Sequence, residues 1–113
     1  MDSSAAPVKE HFDAARGAWR AAGRRAPRLV TGFWFSLADD ADAKLKRYVY
    51  EYLLVAGERR ARATAGAMKA SSPDAIRAAL DAIQAEGADE CLLVPGTLEI
   101  AEVERAAELV ARR

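Results

Sequence analysis

The segment RLVTGFWFSL, residues 28–37, constrains this chain more than any other. It is rich in β-branched and aromatic residues and has no polar face at helical spacing, so it reads as a strand. Alternation sets Leu29, Thr31, Phe33, Phe35 and Leu37 on one side and Val30, Gly32, Trp34 and Ser36 on the other. Both sides are largely apolar, the pattern of a strand covered on both faces, as in a parallel sheet. A second, shorter strand is predicted near 89–95, within ECLLVPG, where Pro95 and Gly96 stop it. Two strands separated by long helical crossovers pair in parallel. Two such strands do not make a free-standing sheet, and an unpaired apolar edge is a template for association. The chain therefore either oligomerises through its sheet or is a piece of a larger barrel.

Helical patterns fill the remainder, in the order α-β-α-α-α-β-α. Residues 1–6 are small and polar and read as frayed. Val8, Phe12, Ala15, Trp19 and Ala22 then form an apolar stripe over about 7–22, ended by Gly23 and Pro27. Asp39 and Asp40 are N-cap candidates for a helix whose stripe is Ala41, Leu45, Tyr48, Val49, Tyr52, Leu53 and Ala56. Tyr48 and Tyr52 share a face and are expected in the core, while Tyr50 and Leu54 are expected outside it. Residues 58–69 are helix-prone, with a weaker stripe. Ser72-Pro73-Asp74 is a helix start, and Ile76, Ala79, Leu80 and Ile83 form the stripe that follows it, up to Gly87. A last helix over about 99–112 is expected to turn Ile100, Val103, Ala106, Ala107 and Val110 inward and Glu99, Glu102, Glu104 and Glu108 to water.

At 113 residues the chain is one domain, 1–113, with room for one modest core. Seventeen basic and seventeen acidic residues cancel, so neither a dedicated nucleic-acid binder nor an acidic solvating chain is expected. Zero net charge leaves self-association unopposed. One cysteine, Cys91, and one histidine, His11, provide neither an internal disulfide nor a metal cluster. No apolar run reaches the length of a membrane span and no secretory leader is seen, so the expected location is cytoplasmic.

PRLVTGFWFSL, then DDADAKLKRYVYEYLLVAG, then SSPDAIRAALDAIQAEGADECLLVPGT and a closing amphipathic helix resemble the C-terminal part of luciferase-like monooxygenases, over about Val8 to Val110. The resemblance implies a (β/α)8 barrel that uses FMN or a deazaflavin for oxidation or oxygen insertion. Such a barrel takes about 250 residues, of which this chain would supply the last two strands and their helices. The family's flavin-phosphate contacts come mostly from earlier strands. The expected fold class is therefore α/β, a partial (β/α) barrel segment with two parallel strands and about five helices, completed by oligomerisation, with a dimer expected. The expected function is that of a flavin- or deazaflavin-dependent monooxygenase or oxidoreductase domain, not catalytically complete alone. The alternative is a non-catalytic oligomeric α/β remnant serving as a structural or protein-interaction module, with no cofactor in the isolated chain.

The sequence identifies no catalytic residue. Trp34, Phe35, Ser36, Gly96 and Thr97 end or follow the two strands, where a (β/α)8 barrel carries its active site. They are candidates for a pocket against a ring such as an isoalloxazine, and equally for core packing and a helix start. His11 has no partner at a recognisable motif spacing and reads as a surface residue, and Cys91 reads as an inert thiol inside an apolar strand. Arg16, Arg20, Arg24, Arg25 and Arg28 form one basic run and Arg59, Arg60 and Arg62 another. Either would suit phosphate, but solvated or ion-paired faces account for both. There is no GxGxxG after a strand and no P-loop.

Overall fold

The computed structural model describes residues 5–113. Of the stretch read as frayed, Met1 to Ser4 lie outside the described residues, and the first helix begins at Ala5. The order is α1 (Ala5–Ala21), β1 (Val30–Phe35), α2 (Ala41–Leu53) continued by a single 3-10 turn (Leu54–Ala56), α3 (Glu58–Gly66), α4 (Pro73–Ala85), β2 (Glu90–Pro95) and α5 (Ile100–Ala111). This is the expected mixed α/β arrangement, with five helices and two parallel strands in one open sheet.

The strands pair from Val30↔Glu90 to Phe35↔Pro95. The pairing is closed at its start by Leu29, whose N–H donates to the Asp89 carboxylate at 2.7 Å and whose C=O accepts from Asp89 N–H at 2.8 Å. It is closed at its end by Gly96 N–H, which donates to Phe35 C=O at 2.7 Å. Gly32 lies within the pairing because a side chain there has no room: a Cβ would fall 2.6 Å from the Leu92 carbonyl oxygen.

The two faces of the sheet are covered unequally. Phe33 and Phe35, with Leu29, Cys91 and Leu93, face a core built by Val8 and Phe12 of α1, Ile76, Ala79 and Ile83 of α4, and Ala106 and Leu109 of α5. On the other face Trp34 is covered by Leu45 and Val49 of α2, Ala65 of α3 and Met68. That cover reaches only the carboxyl half of the strands. Val30 is 44% exposed and Leu92 51%, so the amino half of the face is bare. The result is a slab of 48 × 38 × 19 Å. Its radius of gyration, 15.3 Å, exceeds the roughly 13 Å of a compact domain of about 100 residues.

Local signals act as chemistry requires in α4. Ser72 accepts from Ala75 N–H at 3.1 Å, Pro73 opens the helix, and Gly87 leaves it at φ 89°. The Arg16 guanidinium reaches across from α1 to the Glu86 carbonyl at the end of α4, which ties the two helices together. Asp40 does stand at the N-cap of α2, but in a left-handed conformation and without a side-chain capping bond.

Two expected faces are corrected. α5 buries Glu102, Ala106 and Leu109, and turns Ile100, Val103, Ala107 and Val110 outward. The cause is a hydrogen bond to β1's exit, described below, that fixes the helix's rotation. In α2, Tyr52 is 60% exposed, while Tyr50 packs half-buried against the Trp34 cluster. Tyr52 instead caps Trp34 edge-on at 5.7 Å and stacks on Tyr48 at 6.3 Å.

Adding a methyl at Gly32 forces the strands apart, so Gly32→Ala is expected to cost about 1–3 kcal/mol. Gly17, inside α1 with nothing within 4 Å of its Cβ position, gives the contrast: Gly17→Ala is expected to add roughly 0.5–1 kcal/mol. Urea denaturation followed by circular dichroism measures both.

Candidate functional site

The carboxyl ends of the strands, where the sequence set its candidates, are held by a dense set of backbone bonds. Ser36 is wholly buried. Its N–H donates to Ala70 C=O at 3.0 Å and its hydroxyl oxygen accepts from Ala38 N–H at 3.3 Å. Both backbone groups of Leu37 are taken by side chains of α5, spaced three apart on one side of that helix. Its N–H donates to Glu102 Oε1 at 2.7 Å, and its C=O accepts from Arg105 Nη1 at 3.0 Å.

Glu102 is the residue that the charge pattern misplaced. It is fully buried, and its second oxygen, Oε2, has no hydrogen-bond partner among the described residues. A buried carboxylate without compensation is costly. Here the bond from the Leu37 N–H to Oε1 satisfies a buried backbone donor and offsets part of that cost.

Beside this clasp lies a cleft of about 370 Å³ between β1's exit, the start of α4 and the outer part of α5. Leu37, Ala38, Pro73 and Leu109 supply its apolar wall, and Arg77, Arg105 and Arg112 bring guanidinium groups to it. Each guanidinium already has a partner: Arg77 pairs with Asp74 at 3.0 Å, Arg112 with Glu108 at 2.6 Å, and Arg105 holds Leu37. The two serines are also engaged, Ser71 donating to Asp42 at 3.3 Å and Ser72 capping α4. No histidine or cysteine lines the cleft.

The five candidates are not gathered around one opening. Trp34 and Phe35 lie on opposite faces of the sheet, each inside a core cluster. Ser36 and Gly96 are buried, and a Cβ on Gly96 would fall 2.5 Å from Leu45 Cδ1. Thr97 is half-buried; its hydroxyl accepts from Glu99 N–H at 3.3 Å at the start of α5. His11 is exposed on α1. Cys91 is half-buried, and desolvation pushes its thiol pKa up, away from thiolate chemistry. Of the basic runs, Arg28 pairs with Glu90 at 3.0 Å, Arg24 lies 5.6 Å over Trp19, and Arg62 pairs with Glu58. Among the described residues no group of three or more His, Cys, Asp or Glu could hold a metal ion, and no helix is long and apolar enough to cross a membrane.

Compared with known proteins, the chain matches no family model, and no curated protein and no solved structure is significantly similar to it.

Glu102→Ala strands the Leu37 N–H in the interior and is expected to cost about 1–3 kcal/mol. Glu102→Gln keeps an acceptor for that N–H and is expected to be destabilised less than Glu102→Ala. Chemical denaturation of the two variants separates a backbone clasp from a merely space-filling side chain. Cys91 is expected to react with a disulfide reagent at pH 7.5 far more slowly in the native protein than in urea.

Proposed function

We propose that this chain is part of a luciferase-like, flavin- or deazaflavin-dependent oxidoreductase, working as a section of barrel wall that further strands complete. The carrying observation is the unequal cover of the sheet. Three helices seal one face along its length, the other face is bare at Val30 and Leu92, and among the described residues the sheet contains no strand beyond β1 and β2. A (β/α)8 barrel has this section: parallel strands, helices outside, and an inner face closed only by neighbouring strands. The α2–α3 pair over Trp34 lies at the carboxyl end, where such barrels place their βα loops. The sequence resemblance from PRLVTGFWFSL through GADECLLVPGT supports the same reading.

The residues present do not make a flavin site on their own. Trp34 is packed under α2 and α3, and Ser36 and Gly96 are enclosed. No redox step is assigned to these side chains. The chain is therefore incomplete as a catalyst and acts in an assembly. A second reading, a non-catalytic module that associates through the same bare face, is favoured by the two unpaired strand edges, which suit strand addition by any partner.

A chimaera decides between them. Residues 28–113 would replace the last two β/α units of a flavin-dependent luciferase-like enzyme. A soluble barrel that retains its yellow chromophore is the expected result. A chimaera that folds without flavin, when the parent binds it, would favour the non-catalytic module. The isolated chain is expected to elute colourless from a sizing column and to leave FMN fluorescence unquenched at micromolar concentration.

A further inference from the structure

The zero net charge of the chain hides an uneven distribution. No Asp or Glu stands between Asp13 and Asp39, and five arginines do: Arg16, Arg20, Arg24, Arg25 and Arg28. The remaining residues carry the other twelve basic side chains and all seventeen acidic ones. The five belong to one part of the fold, the carboxyl half of α1 and the link from it to the start of β1. Gly23, at φ 68°, turns the chain there. Its N–H donates to Arg20 C=O at 3.0 Å, and Arg24 N–H donates to Trp19 C=O at 2.9 Å. The turn folds Arg24 back over the half-buried Trp19 ring, 5.6 Å from its centroid, beside Arg20 and Arg25.

Two of the five are occupied within the chain: Arg16 by Asp13 and the Glu86 carbonyl, and Arg28 by Glu90. Arg20, Arg24 and Arg25 are exposed and have no acidic partner among the described residues. The helix dipole accounts for one cation at this end, Arg20 in the last turn, and does not call for three. The other basic run differs, since Glu58 stands at its head and already holds Arg62.

The patch itself specifies its occupant. A folded protein presents both signs of charge, and complementing it takes some acid to set the register; the stretch from Ala14 to Ala38 has none. A bilayer takes apolar side chains as well as cations, and among the described residues before Val30 no large apolar side chain is exposed. The backbone of a nucleic acid needs neither. It is negative at every nucleotide, and the guanidinium fork matches its phosphate oxygens. Trp19 sets an aromatic ring among these guanidiniums, the combination that binds single strands.

We propose that the carboxyl end of α1 binds the phosphate backbone of single-stranded nucleic acid through Arg20, Arg24 and Arg25, without reading its sequence. The surface lies toward the amino end of β1, away from Ser36 and Gly96 at the carboxyl ends of the strands, and is independent of the barrel reading. Three phosphate contacts put the affinity in the non-specific range, roughly 10⁻⁴–10⁻⁶ M, with log K falling against log salt at a slope of about −2.

The test is fluorescence anisotropy of a dye-labelled oligothymidine titrated with the full chain over roughly 20–200 mM salt. It is run beside Arg20→Gln/Arg24→Gln/Arg25→Gln and a control that removes charge elsewhere, Arg59→Gln/Arg60→Gln on α3. The replaced side chains are all exposed, and circular dichroism checks each fold. Arg20→Gln/Arg25→Gln, which keeps the contact of Arg24 with Trp19, serves if the triple variant does not fold. Saturable wild-type binding is expected, weakened at least about tenfold in the triple variant, about threefold in the double variant and less than about twofold in the control. Wild type that leaves the anisotropy unchanged at the lowest salt, or a control that loses as much as the triple variant, overturns the proposal. Cosedimentation with phosphatidylserine vesicles without oligonucleotide binding would assign the patch to a membrane surface and overturn it too.

Discussion

The pairing of β1 with β2 is the contact on which the rest of the molecule depends. It joins segments sixty residues apart, with α2, α3 and α4 in the intervening loop, so forming it costs the closure entropy of that loop. It is short, six residues on each side, but both ends are locked: at the start by the reciprocal Leu29–Asp89 bonds and at the end by Gly96 on Phe35. Once formed, it fixes which way every strand side chain points. Phe33 and Phe35 then anchor three helices on one face, and Trp34 anchors two on the other. Gly32 allows the backbones to approach at the centre of that pairing, and Gly96 allows α2's Leu45 to close over its end.

From this pairing follows the asymmetry of the slab. α2 and α3 have 13 and 9 residues, roughly 20 and 13 Å of helix. They also spend much of their apolar surface on each other. What remains covers Trp34 and Val94 but not Val30 and Leu92. Each large apolar side chain left wet forgoes roughly 1.5–3 kcal/mol, a substantial fraction of the ~5–15 kcal/mol that holds a domain together.

The parts legible in the sequence were those whose cause is local. The strand within 28–37, the Ser72-Pro73 start and the Gly87 exit each depend on residues within a few positions of one another; the latter two stand where the pattern put them, and the strand stands inside its expected range, shorter, at Val30–Phe35. The face of α5 was not legible in this way. Hydrophobic periodicity favours Ile100, Val103, Ala107 and Val110, yet the helix buries Glu102. What overrides the pattern is one backbone N–H, that of Leu37, 65 residues away, which needs an acceptor as β1 leaves the sheet. A count of apolar residues contains no term for that. The site candidates met a similar limit. Ser36 and Gly96 stand at strand ends, as a barrel's active-site residues do, but their position in the sequence does not tell whether they line an opening or close one. Here both close it, Ser36 on Ala70 and Gly96 on Phe35. Arg105, which holds the Leu37 carbonyl, carried no signal beyond being one exposed arginine among many.

Glu102 and Arg105 also connect the two open surfaces of the molecule. Together they grip both backbone groups of Leu37, and so set the rotation of α5 against the end of β1. With that rotation fixed, the inner side of α5 can only be Ala106 and Leu109, and the seam of Ile100, Val103 and Val110 has to face outward. The seam is thus on the helical side of the slab, whereas Val30 and Leu92 are on the opposite face of the sheet. The two surfaces do not compete for one partner. The same buried carboxylate that defeats the hydrophobic pattern is what sets the two exposed apolar surfaces on different sides of the molecule.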